Sequence, residues 1–320
     1  MNLISVIIPA FNAENTIEKC IKSILHNDGV GKNFDIEVIV VDDGSKDKTA
    51  ALVSSMFKEY QCLRLIQQEN SGPSAARWNG IYQSKGQYLA FCDSDDWVES
   101  NWLSVMYELI TNHDADISVI RAIIGDKINI DFRQELFVWN RAEAIQVYLE
   151  HKKINGSFVV KMFKRELFDK LTIDMTMTHC EDDILIWQML QKASKVVRAE
   201  IPLYHISVHE GSLTNSIFRI NRWVSTKKYF DTVISDCTNK ACLRQFLSIA
   251  KSYRAWWYYA LMKLMIKDSF IDRNVQIELQ NAFRDVGLKY AMKLPLKDKV
   301  LFMLATINVS ILFKIFSKSK

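Results

Sequence analysis

VIVVDDGSKDKT, residues 38–49, joins an apolar run to an acidic turn and to the first residues of a helix. Residues 36–41 are mostly apolar and β-branched, which is typical of a strand buried on both faces. A helix is predicted from about residue 47 to residue 60, with one apolar side made of Leu52, Val53, Met56 and Phe57. This stretch therefore reads as one βα unit with acidic residues at the strand's carboxyl end.

The same unit recurs on both sides of this stretch. Further strands are predicted at residues 5–8, 63–67 and 88–92, and helices at residues 13–26, 74–84 and 100–112, with Asn12 as the N-cap of the first helix. Repeated βα units predict an α/β fold with a mostly parallel, Rossmann-like central sheet and right-handed crossovers. Ligands of such sheets bind beyond the carboxyl ends of the strands.

The sequence changes character after residue 216. Gly287 is the only glycine that follows, and helical periodicity dominates. We therefore predict two parts: an α/β domain over residues 1–216, and a helical region over residues 217–320.

The composition excludes several classes of protein, and the cysteines and the first residues bear on the cellular location. With 49% hydrophobic and 24% charged residues, and only 10 Gly and 4 Pro, the chain is neither disordered nor collagen-like. The six Cys residues show no CxxC pair, which argues against a zinc site and a disulfide framework. The first residues lack a basic segment and a cleavage site, so a cytoplasmic location is expected.

Acidic residues cluster where the predicted strands end. Asp42 and Asp43 follow the second strand, Asn70 and Arg77 follow the third, and residues 93–96 (DSDD) follow the fourth. Taken singly, these are ordinary turns and helix caps. Together in one crevice, the carboxylates would repel one another unless a cation bound there, and Mg²⁺ favours one or two carboxylates plus substrate phosphates. The sequence lacks the P-loop and GxGxxG patterns, so phosphate handling through a metal ion is expected.

A second acidic group, Glu181-Asp182-Asp183, opens an amphipathic helical pattern. Acidic residues are common in the first turn of a helix, because the positive end of the helix dipole favours them. A carboxylate held there can also serve as a general base. The residues alone leave both interpretations open.

The motifs taken together resemble a known family. SVIIPAFNAENTIEKCIKSIL (5–25), VIVVDDGSKDKT (38–49), QENSGPSAARWNG (68–80), YLAFCDSDDW (88–97) and CEDDILIWQMLQKASKV (180–196) look like the motifs of the family 2 inverting glycosyltransferases, in the same order. The resemblance covers about two thirds of the chain and implies a GT-A fold. It also implies roles for individual residues in a bacterial enzyme of cell-surface polysaccharide synthesis.

By this resemblance, Asp182 is the general base and Glu181 lies beside it in the acceptor site. Asp95 binds Mn²⁺ or Mg²⁺, and His209 is a further candidate metal ligand. The residues implied to contact the nucleotide sugar are Pro9, Phe11, Glu14, Asp42, Asp43, Asn70, Arg77, Asp93 and Ser94.

The resemblance further implies a reaction and its partners. A hexose or N-acetylhexosamine would pass from a UDP-sugar to a hydroxyl of a saccharide or lipid-linked saccharide, with inversion at the anomeric carbon, in the synthesis of O-antigen, capsule or exopolysaccharide. The alternative is a catalytically silent GT-A-like module for binding or assembly. A nucleic acid is not expected as a partner.

The C-terminal tail carries the net positive charge. Seven lysines and one aspartate follow residue 288, giving a local charge of +6, whereas the preceding residues hold 34 basic and 36 acidic side chains. An apolar segment with basic ends, VLFMLATINVSILF (300–313), predicts an interfacial helix lying on the anionic inner face of the cell membrane. The alternative is a helix that packs within the protein.

Overall fold

The computed structural model describes residues 1–125, 135–174, 176–208, 218–291 and 296–316. It divides into two compact units. The first comprises Met1–Ile145, Ile154–Thr176 and Glu181–Ser212, and the second comprises Gln146–Lys153, Met177–Cys180 and Leu213–Lys320.

A mixed sheet forms the centre of the first unit. Its described strands are β1 (Asn2–Ala10), β2 (Phe34–Asp42), β3 (Leu63–Gln67), β4 (Tyr88–Phe91), β5 (Trp97–Val98), β6 (Ile117–Ile124), β7 (Leu136–Asn140), β8 (Lys161–Lys164) and β9 (Lys195–Ile206). The spatial order is β3-β2-β1-β4-β8-β6-β9-β5, with β7 also paired to β9. Strands β1 to β4 run parallel, and β8 lies antiparallel between β4 and β6. The carboxyl ends of β1, β2 and β4 therefore meet at one edge.

The helices between residues 17 and 192 are α1 (Ile17–Leu25), α2 (Thr49–Ser55), α3 (Pro73–Gln83), α4 (Trp102–His113), α5 (Arg141–Leu149) and α6 (Glu181–Lys192). The first four of them contact strands of the sheet. Strands β1 and β2 supply fully buried residues such as Val6 and Val38, and α1 covers them with Ile17, Cys20 and Ile21. Burial on both faces is why these strands read as continuous apolar runs.

The predicted βα units at the start of the chain are confirmed, with one local correction. Helix α1 begins at Ile17, and its N-cap position is Thr16. The prediction of Asn12 as the N-cap is wrong: Asn12 has a positive φ of 50°, and its side-chain carbonyl accepts a hydrogen bond from the backbone N–H of Lys46 at 2.8 Å. Asn12 thus connects two loops instead of capping a helix.

Helices build the second unit. They are α7 (Ile220–Asn239), α8 (Leu247–Lys267), α9 (Arg273–Ala291) and α10 (Leu296–Phe316). Two aromatic contacts join α10 to its neighbours, because Phe302 packs against Tyr259 and Phe283 with ring centroids 5.8 and 4.9 Å apart. Among the described helices, none combines the length and apolar character needed to cross a bilayer.

Candidate active site

The loops after β1 and β2 are tied together by reciprocal hydrogen bonds. The backbone N–H of Asn12 donates to Ser45 Oγ at 2.9 Å, and the backbone N–H of Glu14 donates to Asp47 Oδ2 at 3.0 Å. In return, a carboxylate oxygen of Glu14 accepts the backbone N–H of Lys48 at 3.0 Å. These bonds fix both loops as one wall at the carboxyl edge of the sheet.

The carboxylates of Asp42 and Asp43 are buried and bonded within this wall. Asp42 accepts the backbone N–H of Ser45 at 3.1 Å and the side-chain amide of Gln67 at 3.3 Å. Asp43 accepts three hydrogen bonds of 2.8 Å each, and its donors are Gln68 Nε2 and the backbone N–H groups of Ser71 and Gly72. Asp43 therefore holds the loop after β3 against the loop after β2.

An open cleft of about 780 Å³ lies beside this turn, lined by Phe11, Gly44, Lys46, Gln67, Gln68, Glu69 and Asn70. The ring of Phe11 is 50% exposed, which is unusual for a residue directly after a buried strand. Gly44 has a positive φ of 76°, and a Cβ there would lie 3.0 Å from the backbone nitrogen of Asn70. The absence of a side chain at residue 44 therefore allows this turn to approach the backbone of Asn70 closely.

The DSDD loop after β4 is held by a tyrosine on β9. The hydroxyl of Tyr204 donates to Asp96 Oδ2 at 2.7 Å and accepts the backbone N–H of Asp93 at 3.0 Å. The other oxygen of Asp96 accepts the backbone N–H of Ser207 at 2.8 Å. Burial raises the pKa of Asp96 to about 7, although these two hydrogen bonds act in the opposite direction. Asp96 is thus the internal anchor of the loop, while Asp95 is exposed on it.

Arg77 on α3 joins the two acidic groups that are far apart in the sequence. Its guanidinium lies 3.0 Å from Asp93 Oδ1 and 3.3 Å from Asp182 Oδ1. Burial disfavours the charged guanidinium, but the carboxylates of Asp182 and Asp93 outweigh this and raise the pKa of Arg77. Its Nε atom is buried without a hydrogen-bond partner among the described residues. One cation therefore brings the end of β4 and the start of α6 into a single site.

The carboxyl group of Asp182 has a raised pKa. Burial raises the pKa of its carboxyl group to about 7; Arg77 opposes this rise, and the acidic groups of Glu181 and Asp93 add to it. A base is most effective when its pKa lies near the working pH. The side chain of Asp182 is 24% exposed, so it is not closed off from solvent.

Comparisons with known proteins identify the family and the fold. The sequence profile of glycosyl transferase family 2 matches residues 5–172, just over half of the chain. The chain belongs to this family. The family resemblance predicted from the motifs is confirmed.

Two curated relatives are similar over most of the matched region. The glycosyltransferase GlyA of Streptococcus pneumoniae serotype 4 is 29% identical over 227 residues, which are 66% of this chain and 31% of GlyA. The poly(ribitol-phosphate) beta-glucosyltransferase of Bacillus spizizenii is 28% identical over 215 residues, which are 65% of this chain and 33% of that enzyme. The chain spans about a third of the length of each of these two proteins.

A solved structure is similar over the entire chain. The S. aureus TarS fragment 1–349, in complex with UDP-GlcNAc, aligns with a TM-score of 0.72 and 19% identity, covering 100% of this chain and 91% of that one. At this identity the match concerns the fold, and it confirms the predicted GT-A fold with a helical C-terminal region.

In this family 2 chain, the structure brings some predicted site residues together and sets others apart. Arg77, Asp93 and Asp182 form one hydrogen-bonded group, and Asp95 and Ser94 lie on the adjoining loop. Phe11 and Asn70 line the cleft described above, whereas Pro9 lies within β1 and is not among the residues that line it. Glu14, Asp42 and Asp43 hydrogen-bond to protein groups, so the nucleotide contacts predicted for them stay predictions.

The predicted metal ligands stay untested. His209 lies outside the described residues. His205, four residues earlier in the chain, donates a 2.6 Å hydrogen bond from Nε2 to Glu99 Oε1 and stacks on Trp97 at a centroid distance of 3.5 Å. Within the described parts of the chain, no three His, Cys, Asp or Glu side chains converge closely enough to hold a metal ion by themselves.

Sequence reasoning missed Tyr204 and the anchoring role of Asp96. Tyr204 lies on β9 and bonds to a loop more than a hundred residues earlier in the chain. No local signal in the sequence marks a tyrosine whose hydroxyl holds a distant loop.

Proposed function

We propose that this family 2 glycosyltransferase transfers a hexose or N-acetylhexosamine from a UDP-sugar to a hydroxyl of a saccharide or lipid-linked saccharide, with inversion. The observation that carries the proposal is the Arg77 bridge, which joins Asp182, whose pKa is about 7, to the DSDD loop. This bridge supports a single site in which Asp182 acts as the base and the DSDD loop serves the diphosphate of the donor.

Asp182 accepts the proton of the acceptor hydroxyl while that oxygen attacks the anomeric carbon. Attack comes from the face opposite the diphosphate, so a single displacement inverts the configuration and an α-linked donor gives a β-glycoside. Assistance by a general base typically contributes ~10²–10⁴-fold to the rate. We assign Glu181, which precedes Asp182 in the first turn of α6, to the acceptor side of the site.

The donor set of the DSDD loop fits a divalent cation. Asp95 is exposed and offers carboxylate oxygens, which Mg²⁺ and Mn²⁺ prefer, and Mg²⁺ usually binds one or two carboxylates plus substrate phosphates. The absence of a three-residue metal cluster among the described residues is compatible with such a site. A bound ion would neutralise negative charge on the diphosphate leaving group.

The nature of the donor and of the acceptor is supported by relatives. The TarS structure holds UDP-GlcNAc, which supports a UDP-sugar as donor. The cleft beside Phe11, Gly44 and Asn70 is the place we assign to the nucleotide. The similarity to a poly(ribitol-phosphate) beta-glucosyltransferase supports an acceptor in the synthesis of a cell-surface polysaccharide.

A nucleotide-sugar panel tests the donor proposal. UDP-glucose, UDP-galactose, UDP-GlcNAc and UDP itself are added with Mn²⁺, and the melting temperature and the release of UDP are measured. We expect UDP to raise the melting temperature and one UDP-sugar to be slowly hydrolysed. Stabilisation by UDP without any hydrolysis or transfer would favour the silent binding module, and no stabilisation by UDP would refute the nucleotide assignment.

Removal of the metal tests the assignment of Asp95. EDTA should abolish turnover, and added Mn²⁺ or Mg²⁺ should restore it. In the Asp95→Ala variant, the metal concentration for half-maximal activity should rise strongly. Full activity in EDTA would refute the role of the cation.

We also propose peripheral contact between α10 and an anionic membrane. One face of α10, with Phe302, Val309 and Leu312, is buried within the helical unit. The opposite face exposes an apolar stripe at helical spacing: Val300, Leu304, Ile307 and Ile311. Lys314 is exposed close to the end of this stripe. An exposed apolar stripe with basic residues at its ends is suited to the interface of an anionic bilayer.

Vesicle sedimentation tests the membrane contact. The protein should sediment with vesicles that contain phosphatidylglycerol at low salt, and less with pure phosphatidylcholine. Ile307→Glu should abolish sedimentation, whereas the control Ile124→Glu, at an exposed residue of β6, should leave it unchanged. Equal sedimentation of Ile307→Glu and the parent protein would refute the contact. It would also be refuted if the parent did not bind vesicles and Ile307→Glu instead disrupted self-association of the protein, because the apolar stripe would then contact a second copy.

A further inference from the structure

A buried lysine contacts the loop that packs against the acidic turn of α6. Lys161 on β8 is 1% exposed, so its ammonium group is almost fully removed from water. The ammonium donates a 2.9 Å hydrogen bond to Asn155 Oδ1 and another to the backbone carbonyl of Ser157. A buried ammonium is costly unless it is hydrogen-bonded and paired with opposite charge. The hydrogen bonds and charges around Lys161 must therefore offset the cost of burying its ammonium group.

The charges around Lys161 come from two elements. Burial lowers the pKa of Lys161 to about 7, and Arg198 on β9 contributes in the same direction. The carboxylates of Asp183 and Asp182 on α6 act oppositely and favour the charged ammonium. Attraction between charges is mutual, so the ammonium in turn favours the ionised form of these two carboxylates.

The loop held by Lys161 fits against α6 because it carries a glycine. A Cβ on Gly156 would lie 2.1 Å from Asp183 Oδ1 and 2.3 Å from Asp183 Cγ. The carboxylate of Asp183 thus rests directly on the backbone of Gly156, at a place that no side chain can share. Lys161 bonds to the residues on both sides of this glycine, Asn155 and Ser157.

We propose that Lys161 is a positioning residue for the transfer step, and that it acts through the loop at Gly156 on the first turn of α6. The proposal rests on the proposed role of Asp182 as the base. By holding the loop, Lys161 fixes the position of Gly156, against which Asp183 packs, and so the position of the adjacent Asp182. By its charge, Lys161 also favours the ionised form of Asp183 and, more weakly, that of Asp182.

The surrounding groups define the direction of this electrostatic effect. Asp182 is paired with Arg77 on α3, and further charges that act on it come from Asp93 at the end of β4, from Glu181 and Asp183 on its own helix, and from Lys161 on β8. The two cations lower the pKa of Asp182 and the three carboxyl groups raise it. Loss of Lys161 removes one cation, so the pKa of Asp182 rises.

The Lys161→Met variant tests both parts of the proposal. Methionine keeps the approximate volume and removes the charge and the donors. We expect kcat to fall by about ten- to a hundredfold, as misplacement of a reacting group typically causes, with KM for the UDP-sugar within about twofold. We also expect the acidic limb of the kcat–pH profile to move to higher pH. Lys164→Met is the matched control on the same strand, since Lys164 pairs with Asp116; its kcat and acidic limb should stay as in the parent.

Two outcomes would overturn the proposal. One is an unchanged kcat and acidic limb in folded Lys161→Met. The other is a loss of kcat that follows a lowered melting temperature while the acidic limb stays in place, because a purely structural lysine would behave in this way.

A second variant tests positioning through the loop if Lys161→Met does not fold. Gly156→Ala leaves the lysine intact and displaces Asp183, so kcat should fall with little change in KM. Normal turnover of Gly156→Ala would refute positioning through this loop. Failure of the proposed function itself gives a different result, because Asp182→Asn would then retain turnover whatever Lys161 does.

Discussion

Two acidic segments of this protein look alike in the sequence and differ in the structure. The turn at residues 42–45 (DDGS) follows β2, and the loop at residues 93–96 (DSDD) follows β4, at the same edge of the sheet. The carboxylates of Asp42 and Asp43 are buried, and protein donors occupy them. In the second loop only Asp96 is buried, Asp95 is exposed, and Asp93 is paired with Arg77.

The hydrogen-bond partners of a carboxylate distinguish an acidic residue that stabilises a loop from one that can take part in a reaction. A carboxylate that accepts several backbone N–H groups stabilises a loop, because each of those donors would otherwise be buried without a partner. A carboxylate that shares a buried arginine with another acid lies in a polar environment that a ligand can rearrange. On this basis we interpret DDGS as a support of the site and the group around Arg77 as the reacting part.

The largest expected effect is on the reacting side. Asp182→Asn keeps the shape of the side chain and removes its basicity, so kcat should fall by at least ~10²-fold while the affinity for UDP is retained. Steady-state kinetics and UDP titration measure the two quantities. Asp35→Asn, at the exposed amino end of β2, is the control and should be fully active. Near-normal turnover of Asp182→Asn would remove the base assignment.

A smaller effect is expected on the supporting side, and it concerns stability. Asp43→Asn replaces one carboxylate oxygen by an N–H₂ group that faces N–H donors. The free energy of unfolding should fall by about 2–3 kcal/mol, measured by urea denaturation. If Asp43→Asn instead loses UDP affinity at unchanged stability, Asp43 contacts the nucleotide and the contrast between the two segments fails.

The pH dependence should come from Asp182. Because its pKa is raised to about 7, the carboxyl group is protonated and inactive as a base below that pH. The kcat should therefore rise about tenfold per pH unit up to roughly pH 7 and level off above it. A kcat that is constant between pH 5 and pH 8 would contradict this assignment.

The smallest effect is expected at the anchor of the DSDD loop. Tyr204→Phe removes the hydroxyl that joins Asp96 to the backbone of Asp93, and stability should fall by about 1 kcal/mol. Tyr82→Phe, at a tyrosine that is 90% exposed, is the matched control and should be neutral. A Tyr204→Phe variant as stable as its parent would mean that the loop needs no such anchor.

For the C-terminal helix α10, the hydrophobic pattern of the sequence does not show which face is buried and which is exposed. The apolar segment 300–313 with lysines at its ends predicted one membrane-facing helix, or alternatively one packed helix. In the structure, α10 has both a buried face and an exposed apolar stripe, and its helical geometry is interrupted at Asn308. Amphipathic periodicity cannot distinguish these faces, because both are apolar.

By itself the sequence determined the βα units, the family and the acidic motifs, since these depend on local periodicity and on residues adjacent in the chain. Tertiary structure alone decided which acids meet. Arg77 joins Asp93 to Asp182, residues separated by 89 positions, and Gly156 lies against Asp183, more than twenty positions later. Partnerships of this kind depend on the order of strands in the sheet, which places β8 between β4 and β6. The chemistry of each carboxylate follows from its neighbours, and those neighbours are set by the fold.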